Sequence, residues 1–118
     1  MKNKAINALI EMGLPADIKG FHYIVDAMCL LESTEWRNGK ITALYAKLAE
    51  INDTTPSRTE RAIRHAFSLI IEKGPLKTVE KYLTLQNTTN GNLLHVFYLR
   101  LKQEEERENN PFYRTHCY

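Results

Sequence analysis

The sequence predicts an all-α protein, a compact bundle of about five to six helices containing a helix-turn-helix. Three observations lead there. Apolar residues recur at three- and four-residue spacing along most of the chain. Glycine, proline and asparagine breaks separate these periodic stretches. No stretch alternates as a strand would: Val96-Phe97-Tyr98 would suit one, but it sits inside a longer helical pattern. With 118 residues, 43% hydrophobic and 25% charged, the chain has the size and usage of one folded domain. That domain is expected over 1–108, with 109–118 as a flexible tail lacking periodicity.

Each element has its own justification. Ala5, Ile6, Leu9, Ile10 and Met12 repeat at helical spacing until Gly13 and Pro15 end the first helix. A second opens near Gly20, with Tyr23, Ile24, Ala27, Met28, Leu30 and Leu31 as its apolar stripe. Asn38-Gly39 is a turn signal. Ile41, Leu44, Tyr45, Leu48, Ala49 and Ile51 form the third, which Asn52-Asp53-Thr54-Thr55-Pro56 interrupts. Thr55 suits the N-cap of the next helix, with Pro56 at its first position, where a missing N–H costs nothing. A competing register caps with Ser57 and closes a capping box with Glu60; the place of Pro56 favours Thr55. Thr59, Ala62, Ile63, Ala66, Phe67, Ile70 and Ile71 then carry the helix to Lys73-Gly74-Pro75. Leu76 to Leu85 reads as a further helix, Asn87 to Asn92 as a polar loop. Leu93 to about Glu106 reads as the last helix, with Leu94, Phe97, Tyr98 and Leu101 inward.

The formal net charge of +2 conceals an uneven distribution. Between Arg37 and Lys73 seven cations face four carboxylates, and Glu104-Glu105-Glu106-Arg107-Glu108 returns the balance near the end. Distribution, more than the sum, carries a nucleic-acid signal. It is densest in TTPSRTERAIRHAF, Thr54 to Phe67. On a helical wheel the apolar set takes one side. Arg58, Arg61 and His65 take the other, with Glu60 and Arg64 at its flank.

Over about 41–73, a helix, a tight polar turn and a second helix at 56–73 with a cationic outer face describe a helix-turn-helix. In such motifs the second helix enters the major groove, and arginine's planar fork reaches guanine O6 and N7. Thr54, Thr55, Ser57 and the free N–H groups at the helix start suit a phosphate. The same arginines also fit an ordinary solvated face, and Glu60 with Arg64 fits an i,i+4 ion pair needing no ligand.

Two segments, GLPADIKGFHYIVDAM (Gly13–Met28) and LYAKLAEINDTTPSRTERAIRHAF (Leu44–Phe67), resemble the C-terminal effector domain of the stage-zero sporulation transcription factor family. Ile18-Lys19-Gly20 followed by an aromatic, and the run Ser57–Ala66, are its most diagnostic pieces. The resemblance is clear over Leu9 to Gly74 and weakens beyond. It implies an all-helical domain that binds a short box of double-stranded DNA, with tandem copies or a homodimer on adjacent sites. It implies that Arg58, Glu60, Arg61 and Arg64 face the DNA. Arg61 is the expected base reader, with Arg58 and Arg64 sharing base and phosphate contacts. Glu60 either accepts from a cytosine amino group or pairs with Arg64. His65 ranks after the arginines, as a surface or half-buried residue. Lys19 and Lys40 are candidate phosphate contacts, with an ordinary solvated lysine as the alternative for each.

Asp17 stands where the family pattern has a histidine, and Ala46 where it has a proline after Leu-Tyr. Family members carry a phosphorylatable receiver ahead of this domain, whereas the sequence enters the effector part almost directly from Met1. The expectation is either regulation without a receiver or a piece trimmed from a longer protein.

Other chemistry finds little support. His22, His65, His95 and His116 combine with Cys29 and Cys117 at no zinc spacing, so no metal is expected. No phosphate-binding glycine loop or nucleophile elbow is present, so no cofactor, small-molecule substrate or enzyme activity is expected. Cys29, in an apolar helical pattern, reads as a buried thiol. Two unpatterned cysteines and no leader or membrane-spanning run point to the cytoplasm. The rival to DNA binding is a helical protein-interaction adaptor. It would dock through Phe97-Tyr98, the acidic stretch and Phe112-Tyr113, which read otherwise as a core-packing helix and a tail. RNA binding is disfavoured, because no basic surface with interleaved exposed aromatics is evident.

Overall fold

The computed structural model describes residues 1–109. Among them are seven helices and no strand: α1 (Lys2–Glu11), α2 (Lys19–Leu30), α3 (Thr34–Arg37), α4 (Ile41–Ile51), α5 (Pro56–Lys73), α6 (Leu76–Tyr82) and α7 (Asn90–Asn109). The all-α expectation holds, with one short helix more than expected. Apart from Asn109, which ends α7, the expected tail lies outside the described residues, as do Phe112, Tyr113, His116 and Cys117.

α2 is the central helix. Gly20, Phe21, Tyr23, Ile24, Val25, Ala27 and Met28 are buried, leaving an outer stripe of His22, Asp26 and Cys29 at four- and three-residue steps. Cys29 is therefore an exposed thiol, against the expectation of a buried one. Its apolar neighbours in sequence point the other way, because successive helical residues turn by about 100°. Similarly Ile10, assigned to the apolar repeat, is 56% exposed.

α5 crosses α2 closely. A Cβ on Gly20 would meet the Ala62 carbonyl and lie 2.7 Å from the Ala66 Cβ, so only glycine permits this approach. α5 buries Thr59, Ile63, Ala66, Phe67 and Ile70. α4 adds Leu44, Tyr45, Leu48 and Ala49, and α7 closes the core with Asn90, Leu93, Leu94, Phe97, Tyr98 and Leu101. Burying Phe67 and Phe97 contributes about 1.5–3 kcal/mol each. Phe97 and Tyr98 are core residues, so they offer no aromatic docking surface.

The later boundaries shift. α6 stops at Tyr82, short of Leu85, and Leu83 is nonetheless buried just past the helix end. Tyr82 is fixed there, its hydroxyl donating to Glu11 Oε2 at 3.0 Å and its ring set edge-on to Phe97. α7 begins at Asn90, inside the expected loop, since Thr89 Oγ1 accepts from the Asn92 N–H (3.4 Å) and caps it. The unexpected α3 is a single turn whose Trp36 leans on the core.

Candidate nucleic-acid interface

α4 and α5 are joined by a turn whose geometry fixes how α5 is presented. α4 ends in a Schellman arrangement: the Thr54 N–H donates to the Ala49 carbonyl (2.9 Å) and the Asp53 N–H to the Glu50 carbonyl (3.4 Å). This needs a left-handed residue, and Asp53 supplies it at φ 50°. α1 ends the same way, with Gly13 at φ 85° and Leu14 bonded back to Leu9. Asn52 ties the turn to α2, its Nδ2 donating to Asp26 Oδ2 (3.1 Å) and to the Leu48 carbonyl (2.9 Å).

α5 then starts as expected. Thr55 is the N-cap, its Oγ1 accepting from the Arg58 N–H at 3.2 Å, with Pro56 in the first turn. Ser57 is thereby excluded as the cap. The Thr59 hydroxyl is buried and donates back to the Thr55 carbonyl (3.0 Å), so the only polar residue on the inner face of α5 is satisfied.

The outer face of α5 stands as a ridge between two sets of depressions. On one side Arg58 shares a depression with Lys19, His22, Asn52, Asp53 and Thr54. On the other, Ser57, Glu60, Arg61 and Arg64 border a second depression with Thr42 and Tyr45. A third, against the turn that leads into α7, is lined by Glu60, Arg64, Thr88, Thr89 and Gly91. Lys19, Thr54 and Arg58 thus come together, as do Ser57, Glu60, Arg61 and Arg64. Thr55 sits at the helix start between them. His65 is exposed on α5 and Lys40 is the exposed N-cap of α4, but neither lines these depressions.

Electrostatically the arginines are not equivalent. Arg64 Nη1 donates to Glu60 Oε1 at 2.9 Å, the i,i+4 pair foreseen from the spacing. Its side chain is 62% exposed, so the pair adds little stability. Arg58 and Arg61 have no carboxylate within ion-pair distance among the described residues. Beneath Arg64, burial pushes the Tyr45 phenol above its ordinary value, leaving a neutral ring as the floor. The buried Asn90 of α7 donates to the Glu60 carbonyl at 3.1 Å and braces α5 from behind.

Sequence reasoning did not find His22, Thr42, Thr88 and Thr89. His22 was legible in principle, three residues after Lys19 on the outer stripe of α2. Thr88 and Thr89 reach α5 only through the tertiary fold. Among the described residues no cluster of histidine, cysteine or carboxylate groups could hold a metal ion. No helix among them is long and apolar enough to cross a membrane.

Two helices joined by a tight left-handed turn, the second carrying arginines on its outer face, define a helix-turn-helix protein. The family model described as "Sporulation initiation factor Spo0A C terminal" matches residues 5–101, and the chain belongs to that family. The family is one of DNA-binding effector domains of transcription regulators rather than of enzymes.

Proposed function

We propose that this chain is a sequence-specific transcription regulator that places α5 in the major groove of double-stranded DNA. The observation that carries the reading is the pair Arg58 and Arg61, exposed on α5 with no carboxylate partner among the described residues. A guanidinium in that state is free to make two hydrogen bonds to a guanine edge without first breaking an ion pair.

Arg61, exposed on α5, reads a base. Arg58 and Arg64 share base and phosphate contacts, and Glu60 orders Arg64 or accepts from a cytosine amino group. Thr54 and Lys19 meet the phosphates on the Arg58 side of α5, Ser57 on the Arg61 side, and Thr55 at the helix start between them. Lys40 and His65 contribute at the periphery, through long-range attraction more than direct contact. Most of the affinity comes from phosphate neutralisation and most of the specificity from α5. The protein works in the cytoplasm without cofactor or small-molecule substrate, and copies bind side by side on adjacent boxes.

Fluorescence anisotropy tests this, with one duplex carrying the family's DNA box and one scrambled, at low and physiological salt. A preference for the box that persists at physiological salt supports the reading. Equal binding to both duplexes refutes the sequence specificity, and binding to neither by a folded protein refutes the function. Titration against one-box and two-box duplexes gives the stoichiometry, two chains per two-box duplex being expected.

A further inference from the structure

We infer that the turn leading into α7 forms a second backbone grip, in which Thr88 lies against the DNA phosphates flanking the bases that α5 reads. The inference rests on the proposed placement of α5. It extends the interface beyond the helix-turn-helix to an element remote in sequence.

Thr88 and Thr89 border the same depression as Arg64, and that depression adjoins the Arg61 side of the ridge through Glu60, Tyr45 and Arg64. The turn is held in place from two sides. Asn90, buried, donates to the Glu60 carbonyl at 3.1 Å, so the turn is fixed to the second turn of α5. Asn87 organises the loop itself: its Oδ1 accepts from the Thr89 N–H (3.3 Å) and hydroxyl (3.0 Å), and its carbonyl accepts from Asn92 Nδ2 (2.9 Å). Thr88 is exposed in the middle of this frame, and its side chain has no hydrogen-bond partner among the described residues. No carboxylate other than Glu60 lines the depression, and Glu60 is already held by Arg64. Ile41, Tyr45, Asn90 and Gly91 complete the lining, which is mainly apolar. The exposed Thr88 hydroxyl, beside Arg64 and a helix occupying the major groove, suits the phosphodiester backbone at the groove's edge.

Charge substitutions at Thr88 test this without disturbing the frame. Each phosphate neutralised adds about 0.9 to the slope of log affinity against log salt. Thr88→Lys should therefore bind more tightly and lose about 3.5-fold more affinity than wild type between 50 and 200 mM salt. Thr88→Glu should weaken box and scrambled duplexes by similar factors. Gln103→Lys is the control: exposed on α7, it adds the same charge about 20 Å from Asn90 along the helix. That distance exceeds the screening length of about 8–10 Å. If Thr88→Lys and Gln103→Lys behave alike, or if Thr88→Glu binds as wild type does, the grip does not exist. If wild type itself binds no duplex, the proposed function falls and the grip with it.

Discussion

Gly20→Ala is the substitution that most directly probes how α5 is held. A methyl group there would lie 2.7 Å from the Ala66 Cβ and 3.0 Å from the Ala62 carbonyl carbon, and closer still to its oxygen. Carbon atoms in comfortable contact sit about 3.5–4.0 Å apart, so α2 and α5 must separate by roughly 1 Å. The obstacle is mostly backbone, which cannot swing aside as a side chain would. Overpacking of this kind costs about 1–3 kcal/mol, and the upper half of that range applies. The opposing gain from replacing glycine in a helix is at most about 1 kcal/mol, and smaller at the second helical position. The net loss is about 1–2 kcal/mol, or roughly 4–8 °C in Tm for a chain of this size. Thermal melts by circular dichroism, with urea titrations to check that the m-value is unchanged, measure it. The same shift moves Lys19 relative to Arg58, so affinity for DNA should fall by more than the small unfolded fraction explains. A Tm equal to or above wild type would show that the close crossing does not constrain the fold.

Four further outcomes follow from the same geometry. Thr55→Ala removes the oxygen that accepts from the Arg58 N–H and should cost about 1 kcal/mol, seen as a lower urea midpoint. Arg61→Ala should relax discrimination at one base pair, costing about 1–3 kcal/mol on the preferred box; uniform weakening on all sequences would remove its base-reading role. Lys19→Ala should weaken box and scrambled duplexes alike and reduce the salt slope by about 0.9, and an unchanged slope would take it out of the interface. Burial and the nearby Glu11 carboxylate hold the Tyr82 phenol well above its ordinary value. The unfolded chain releases that proton near pH 10 while the folded chain keeps it, so stability is intact below pH ~10 and falls as pH rises beyond. Tyr82→Phe should flatten this alkaline decline in urea midpoints between pH 8 and 11.

The parts legible in the sequence were those with local causes. Thr55 and Pro56 announced the start of α5 because capping acts within four residues, and the wheel from Thr59 to Ile70 gave its inner face correctly. Glu60 and Arg64 paired as their spacing implied. What escaped had distant causes. Asn90 reads as a loop residue, yet it is buried against α5, where its side chain donates to the Glu60 carbonyl. Gly20 announced itself as a motif residue, but the reason for it is Ala62, more than forty positions away. Cys29 was misplaced because α2 is apolar on most of its circumference, and a pattern with so narrow a polar stripe gives little phase information. Asp53 raises a question of its own: glycine would serve the left-handed turn better, as Gly13 does in α1. The aspartate instead borders the depression containing Lys19 and Arg58.

The central claim is that α5 reads a DNA sequence. The measurement that tests it most directly is the ratio of affinities for the box and scrambled duplexes at physiological salt, for wild type and for Arg61→Ala. A marked preference in the wild type that narrows in the variant is expected, with circular dichroism showing both proteins equally folded. A wild type that binds both duplexes equally, or an Arg61→Ala variant with an undiminished preference, would contradict it.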